Sequence, residues 1–161
     1  MKNQIKNDGK VYKLRHEADE ANIRRQIENL VKALCNIDLQ GVMAIYAPGI
    51  VSFDVEGTYL GAEAKRKAWL NVFSIIEPPL DYEIRDLTIT AGDDVAFAYS
   101  YNRLSGKLKK GQQIGSRVRY TACFRKIDGI WLIAHEQVSV PADFESGRIK
   151  YINQKGEENE D

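Results

Sequence analysis

The feature that most constrains the fold is a run of four strand-like segments in the second half of the chain. Apolar and polar residues alternate there with the two-residue period of a half-buried strand. The predicted strands are residues 81–90, 95–104, 114–126 and 130–140. Turn-forming residues separate them, including the hairpin signal Asp128-Gly129. Strands that follow one another through short turns pair antiparallel, so this half of the chain predicts a meandering sheet.

The first half of the chain has the longer period of amphipathic helices. Apolar residues recur every three to four positions, first at Ile23, Ile27, Leu30, Val31 and Leu34. The predicted elements are helices over 17–36, 39–46 and 62–76 and a strand over 50–56. Asp38 is placed to cap the second helix, and Pro78 and Pro79 stop the third.

Helices followed by a strand meander are typical of the α+β class. We expect a cone-shaped fold in which three N-terminal helices pack on the concave face of a curved, mainly antiparallel sheet. The open end of such a cone is a pocket. We divide the chain into a polar N-terminal arm (1–16), one folded domain (17–152) and an acidic, disordered tail (153–161).

The composition argues against several classes of function. The 161 residues suit one domain, and a formal net charge of zero provides no field to attract nucleic acid or an anionic membrane. No apolar run approaches the roughly 18 residues of a membrane span, and the polar start of the chain is unlike a secretory signal. Cys35 and Cys123 lie in apolar patterns that predict buried thiols. We therefore expect a cytoplasmic protein with no nucleic-acid or membrane partner.

Three segments resemble the nuclear transport factor 2-like superfamily, in particular its SnoaL-like and ketosteroid-isomerase-like members. Residues 38–47, DLQGVMAIYA, are similar to the family's GDLDGIVALFA segment. Residues 94–99, DVAFAY, are similar to its central strand, and residues 131–139, WLIAHEQVS, to its closing W-x-I-x-H-x-H-x-S strand. The resemblance runs from about Ile23 to Pro141 and implies the cone-shaped fold, which hosts many functions.

The departures from ketosteroid isomerases are informative. The resemblance implies a catalytic base at Asp54, but the family's oxyanion-hole tyrosine and second acid fall at Leu30 and at or near Ala122. Neither of these side chains provides the preorganised donors that an enolate needs. The sequence therefore argues against steroid isomerisation by the familiar mechanism. Gln137 also replaces the second histidine of the closing motif.

Two carboxylates are the candidate catalytic residues. Glu136 is a lone acid in an otherwise apolar strand row, a setting that suits a general acid or base. The alternative is an ion pair with Arg119 or Arg103, or an exposed strand end. Asp54 matches the family's base position, although it lies in a polar row and is equally explained as a solvated residue.

Aromatic side chains supply the predicted ligand contacts. Alternation on the second long strand separates the bulky row of Phe97, Tyr99 and Tyr101 from a row of small residues, and we expect the bulky row to fill the cone. The predicted ligand-binding residues are Tyr46, Tyr59, Trp69, Phe73, Tyr99, Tyr101, Tyr120 and His135. Ordinary core packing explains the aromatic residues equally well, and an outer-face position at a dimer interface explains His135.

Neither a metal nor another cofactor is predicted. The two histidines, His16 and His135, lie far apart in sequence, and the cysteines lack ligand spacing. No glycine-rich phosphate loop or serine elbow is present.

One strand row predicts a partner. Trp131, Ile133, His135 and Gln137 alternate onto the side of the sheet away from the cone. A partly apolar sheet face is poorly suited to water, and the resemblance implies that a second copy covers it. We expect a twofold homodimer through this outer sheet face.

The residues leave three functions open. The resemblance implies proton-transfer chemistry, of the isomerase, cyclase or dehydratase type, on a small apolar carbonyl or polyketide-like ligand. Asp54 or Glu136 would then move the proton. The alternatives are a non-catalytic module that binds a small apolar molecule and a dimeric assembly domain.

Overall fold

The computed structural model describes residues 2–152 and 158–159. The helices are α1 (Lys2–Cys35), α2 (Leu39–Met43) and α3 (Ala62–Ile75). The strands are β1 (Tyr46–Phe53), β2 (Thr58–Leu60), β3 (Ile76–Ala91), β4 (Val95–Leu108), β5 (Gln113–Ile127), β6 (Ile130–Ser139), β7 (Tyr151–Ile152) and β8 (Glu158–Asn159).

The six strands β1 to β6 form one curved sheet in the order β2-β1-β6-β5-β4-β3. β1 runs parallel to β6, and the other neighbouring pairs are antiparallel. The predicted α+β cone is confirmed. None of the helices among the described residues is long and apolar enough to cross a membrane.

The core lies between α1 and the inner face of the sheet. Ile23 and Leu34 of α1 are fully buried, and Phe124 and Trp131 of the sheet are 1% exposed. Asp19 ties α1 to the sheet, because its Oδ1 accepts hydrogen bonds from Trp131 Nε1 at 2.9 Å and from Lys126 Nζ at 2.7 Å. The predicted cap of α2 is confirmed, since Asp38 accepts from the backbone N–H of Gly41.

Strand register corrects the predicted face of β4. Ala98 pairs with Ala122 of β5, and both are 1% exposed, so the small residues of β4 share the inner face of the sheet with Ala122. Phe97 and Tyr99 are therefore on the outer face, where they are 45% and 49% exposed. The prediction that the bulky row fills the cone was wrong, because Ala96 and Ala98 are part of the core that includes Ile23 and Ile27 of α1, where a close-packed interior has no room for larger side chains.

A β-bulge corrects the predicted face of β6. Cys123 of β5 pairs with His135, but the next residue, Phe124, pairs with Ile133, so one residue of β6 is left over. Such an extra residue reverses the alternation. Glu136 and Ile133 consequently both point inward, and Trp131 with Ile133 belongs to the core rather than to the outer face.

The ends of the chain also differ from expectation. α1 begins at Lys2, so residues 2–16 of the predicted polar N-terminal arm are part of this helix. The tail predicted as disordered lies outside the described residues except for Glu158 and Asn159, which pair with β7.

Candidate functional site

A cavity of about 400 Å³ opens between α1, α3 and the inner face of the sheet. Most of its lining is apolar, with Leu30, Val72, Val118 and Val138 among the contributing side chains. Polar groups cluster on one wall, where Asp54, Lys65 and Glu136 meet. A shallower recess of about 520 Å³ at the β4–β5 hairpin contains none of the residues predicted as a site.

Glu136 is the centre of the polar wall and is 1% exposed. Its Oε1 lies 2.6 Å from Lys65 Nζ and accepts a hydrogen bond from Ser52 Oγ at 2.8 Å. Its Oε2 accepts from the hydroxyls of Tyr120 at 2.8 Å and Tyr46 at 3.4 Å. The predicted alternative of an ion pair is therefore realised, but with a lysine of α3 instead of Arg103 or Arg119.

Lys65 reaches this wall because of how α3 begins. Gly61 precedes the helix with φ 84°, a conformation that side-chain-bearing residues avoid, and the chain turns there from β2 into α3. Lys65, one turn later, is 3% exposed. Its Nζ also contacts Ser52 Oγ at 3.2 Å and Asp54 Oδ2 at 3.3 Å. The three oxygens match the three hydrogens of the ammonium.

Aromatic rings complete the surroundings of the ammonium group. Nζ of Lys65 lies 5.4 Å from the ring centroid of Trp69, 5.5 Å from that of Tyr59 and 5.8 Å from that of Tyr46. At these distances a cation is attracted to the ring faces. Ring faces and carboxylate oxygens thus surround Lys65 Nζ on the polar wall of the cavity.

Asp54 stands where this wall meets the mouth of the cavity. Its Oδ1 accepts from the backbone N–H of Val55 at 2.8 Å, and its Oδ2 faces Lys65. The Asp54 side chain is 23% exposed, against 2% for Glu136. Of these two carboxylates, Asp54 is the one that a ligand entering the cavity can reach.

Burial keeps the neighbouring phenols protonated. It raises the pKa of Tyr46 and of Tyr120 well above 10, and the nearby charge of Glu136 raises both pKa values further. Burial, together with Asp54 and Glu56, also raises the pKa of Tyr59. These hydroxyls are therefore hydrogen-bond donors and not bases at neutral pH.

A second polar cluster reaches the same cavity through Tyr82 and Asn102. Ser100 Oγ donates to Asn102 Oδ1 at 2.6 Å, and Asn102 Nδ2 donates to the Tyr82 hydroxyl at 2.9 Å. Asn102 is 2% exposed, and burial raises the pKa of Tyr82 despite the hydrogen bond from Asn102.

The structure brings together only part of the predicted ligand-binding set. Tyr46, Tyr59, Trp69 and Tyr120 line the cavity. Phe73 packs against Trp69, with ring centroids 5.8 Å apart.

The other predicted ligand-binding residues lie on the outer face of the sheet and not in this cavity. Tyr99 and Tyr101 are there because of the register of β4. His135 is opposite Val51 of β1, with Nδ1 2.8 Å from the Val51 carbonyl oxygen and its ring edge-on to Phe53. The alternative explanation of His135 as an outer-face residue is the one that fits this position.

Sequence reasoning missed Ser52, Lys65, Tyr82 and Asn102. A signal for Lys65 was present, because residue 65 is in helical phase with Trp69, Val72 and Ile76 and so falls on the apolar stripe of α3. A charged residue inside such a stripe indicates a buried partner.

Within the described part of the chain, no three His, Cys, Asp or Glu side chains are grouped to hold a metal ion.

The chain is similar to known proteins in both sequence and fold. The SnoaL-like domain model matches residues 23–143, and the chain belongs to this family. An NTF2-like protein of unknown function from Pseudomonas putida is similar, with 28% identity, a TM-score of 0.76 and coverage of 86% of this chain and 97% of that one. No curated protein matches the sequence.

Two more distant structures share the fold. One is a nuclear transport factor 2-like superfamily protein from Salmonella enterica, with 15% identity, a TM-score of 0.73 and coverage of 81% of this chain and 96% of that one. The other is a ketosteroid isomerase-like protein from Erwinia carotovora, with 21% identity, a TM-score of 0.63 and coverage of 76% and 98%.

Proposed function

We propose that this protein binds a small, largely apolar carbonyl compound in the 400 Å³ cavity and that Asp54 moves a proton to or from the carbon beside the carbonyl. The observation that carries this proposal is the row of Asp54, Lys65 and Glu136 along one wall of an otherwise apolar cavity. A carboxylate at the edge of an apolar site is suited to general base catalysis.

The two carboxylates have different roles in this proposal. Glu136 is enclosed by Lys65, Ser52 and Tyr120, so it acts as a positioning residue that holds the lysine. Lys65 in turn orients Asp54 Oδ2. Asp54 accepts the proton from the carbon beside the carbonyl, and the electron pair of the C–H bond shifts to give an enolate with its charge on the carbonyl oxygen. The pair then shifts back and the same carbon takes up a proton from Asp54.

Exchange of 2-tetralone protons in D2O tests this function. The ketone carries acidic hydrogens beside its carbonyl, and NMR follows their replacement by deuterium. We expect the protein to accelerate exchange and Asp54→Asn to lower the protein-dependent rate by about 100-fold or more, with little change in ketone affinity. Glu63→Gln, at an exposed site in the first turn of α3, is the matched control. Exchange that D54N leaves unchanged would refute the role of Asp54.

One observation favours a second candidate, a binding module without chemistry. Asp54 Oδ2 is already engaged by Lys65 Nζ at 3.3 Å, so the ion pair competes with a ligand for this oxygen. Binding of 2-tetralone without protein-dependent exchange would support this candidate.

The cytoplasmic location remains a prediction.

We also propose that the outer sheet face forms a homodimer. Phe53, Phe97 and Tyr99 are 47%, 45% and 49% exposed on this face, and the rings of Phe97 and Tyr99 stack with centroids 6.5 Å apart. Grouped exposed aromatic residues are typical of protein interfaces. A second copy presenting the same face would cover them through twofold symmetry.

A further inference from the structure

We propose that Tyr82 donates a hydrogen bond to an acceptor oxygen of the ligand, so that the cavity selects ketones over hydrocarbons of the same shape. This inference rests on the proposed binding function and adds a specificity residue to it. Tyr82 lines the same cavity as Asp54 and Glu136.

The direction of the hydrogen bonds carries the argument. Asn102 Oδ1 accepts from Ser100, which leaves the Asn102 amide N–H groups to face Tyr82. The Tyr82 oxygen is therefore an acceptor in its bond to Asn102, and its own hydrogen is available to another group. No hydrogen bond donated by Tyr82 occurs among the described residues.

The other phenols of the polar wall are used differently. Tyr46 and Tyr120 both donate their hydrogens to Glu136. Their hydrogen-bonding capacity as donors is satisfied inside the protein, whereas that of Tyr82 is not. A buried donor without an acceptor is unfavourable, and a ligand oxygen would remove that penalty.

The remaining surroundings of Tyr82 suit this role. Burial raises its pKa, so the phenol stays neutral and keeps its hydrogen at physiological pH. Leu30, at the family's usual tyrosine position, also lines the cavity and has no donor. Tyr82 on β3 is placed to supply, from a different element, a donor to a carbonyl oxygen as negative charge develops on it.

Equilibrium binding of a matched pair of ligands tests the inference. The pair is 2-tetralone and tetralin, which share a bicyclic skeleton but differ in the carbonyl oxygen. We expect the unmodified protein to bind the ketone more tightly, and Tyr82→Phe to weaken ketone binding by about 3- to 10-fold while tetralin binding stays unchanged. Tyr12→Phe removes a phenol hydroxyl from a 54% exposed position on α1, away from the cavity and the proposed dimer face, and is the matched control.

A second variant separates donation from simple packing. In Asn102→Asp the new carboxylate accepts the hydrogen of Tyr82, so ketone preference should fall as it does in Y82F although the phenol is retained. Thermal melting establishes that each variant is folded. If N102D does not fold, the binding data for Y82F decide whether Tyr82 donates to the ligand.

Several outcomes would overturn the inference. They are equal affinity of the unmodified protein for both ligands, binding of neither, and equal weakening of both by Y82F. Equal affinity and equal weakening are distinguishable from failure of the proposed chemistry, in which the ketone still binds but protein-dependent proton exchange is absent. Binding of neither ligand refutes the proposed binding function and this inference together.

Discussion

Lys65 and Glu136 form an ion pair of 2.6 Å in which the side chains are only 4% and 2% exposed. The pair joins α3 to β6, two elements that are distant in sequence. Burying either charge alone is costly, so each residue depends on the other for its place in the fold.

Replacing Lys65 with methionine should destabilise the protein by about 3–5 kcal/mol, because Glu136 would remain buried without a cation. Chemical denaturation measures the free energy of unfolding. Lys67→Met, two residues along the same helix at an exposed position, should change it by less than about 0.5 kcal/mol. The double variant K65M/E136Q should recover much of the loss, and a double variant no more stable than K65M would contradict this account.

Alkaline titration should distinguish the buried phenols from the others. The pKa values of Tyr46, Tyr82 and Tyr120 are raised in the folded state, so their contribution to stability is complete below the unfolded pKa near 10 and declines as pH rises above it. Absorbance at 295 nm should therefore report fewer than the eight tyrosines ionising near pH 10 until the protein unfolds. If all eight tyrosines ionise near pH 10 while the protein is still folded, the phenols are not buried as described.

The anchor of α1 should weaken in acid. Burial acts to raise the pKa of Asp19, but hydrogen bonds from Lys126 and Trp131 outweigh it, and the net pKa is lowered. The stabilisation is therefore present above the ordinary pKa of 3.8 and is lost as pH falls through the folded value. Asp19→Ala should cost about 1.5–3 kcal/mol at pH 7. The difference in free energy of unfolding between D19A and the unmodified protein should become smaller toward pH 3. A difference that stays constant with pH would count against this role of Asp19.

Placing a charge on the outer sheet face should disrupt the proposed homodimer. Phe97→Glu would oppose its own copy across a twofold axis, so light scattering should report a monomer for F97E and a dimer for the unmodified protein. Leu70→Glu on α3 replaces a residue of the same 45% exposure away from the sheet, and it should leave the dimer intact. A monomeric unmodified protein would refute the proposal.

Local sequence patterns predicted most of the elements and part of the site, but not the first turns of α1 or the short strand β2. The Asp38 cap and the helix predicted over 62–76 could both be predicted, since each depends on spacing along a single segment. The position of Asp54 at the cavity followed from family resemblance. Sequence patterns did not reveal the partner of Glu136, because Lys65 is 71 positions away and meets it only through the packing of α3 on the sheet.

The amino-acid sequence by itself determined which segments form helices and strands, because those depend on the periodicity of apolar residues within each segment. Tertiary structure alone decided which faces of β4 and β6 point inward. The register of β4 on β5 sets the face of β4, and a single bulge in β6 opposite Cys123 and Phe124 sets the face of β6. Both features arise from pairing between strands. Because an extra residue in a strand reverses the alternation beyond it, Trp131 and Ile133 came to lie inside with Glu136, while the continuous register of β4 on β5 left Tyr99 and Tyr101 outside.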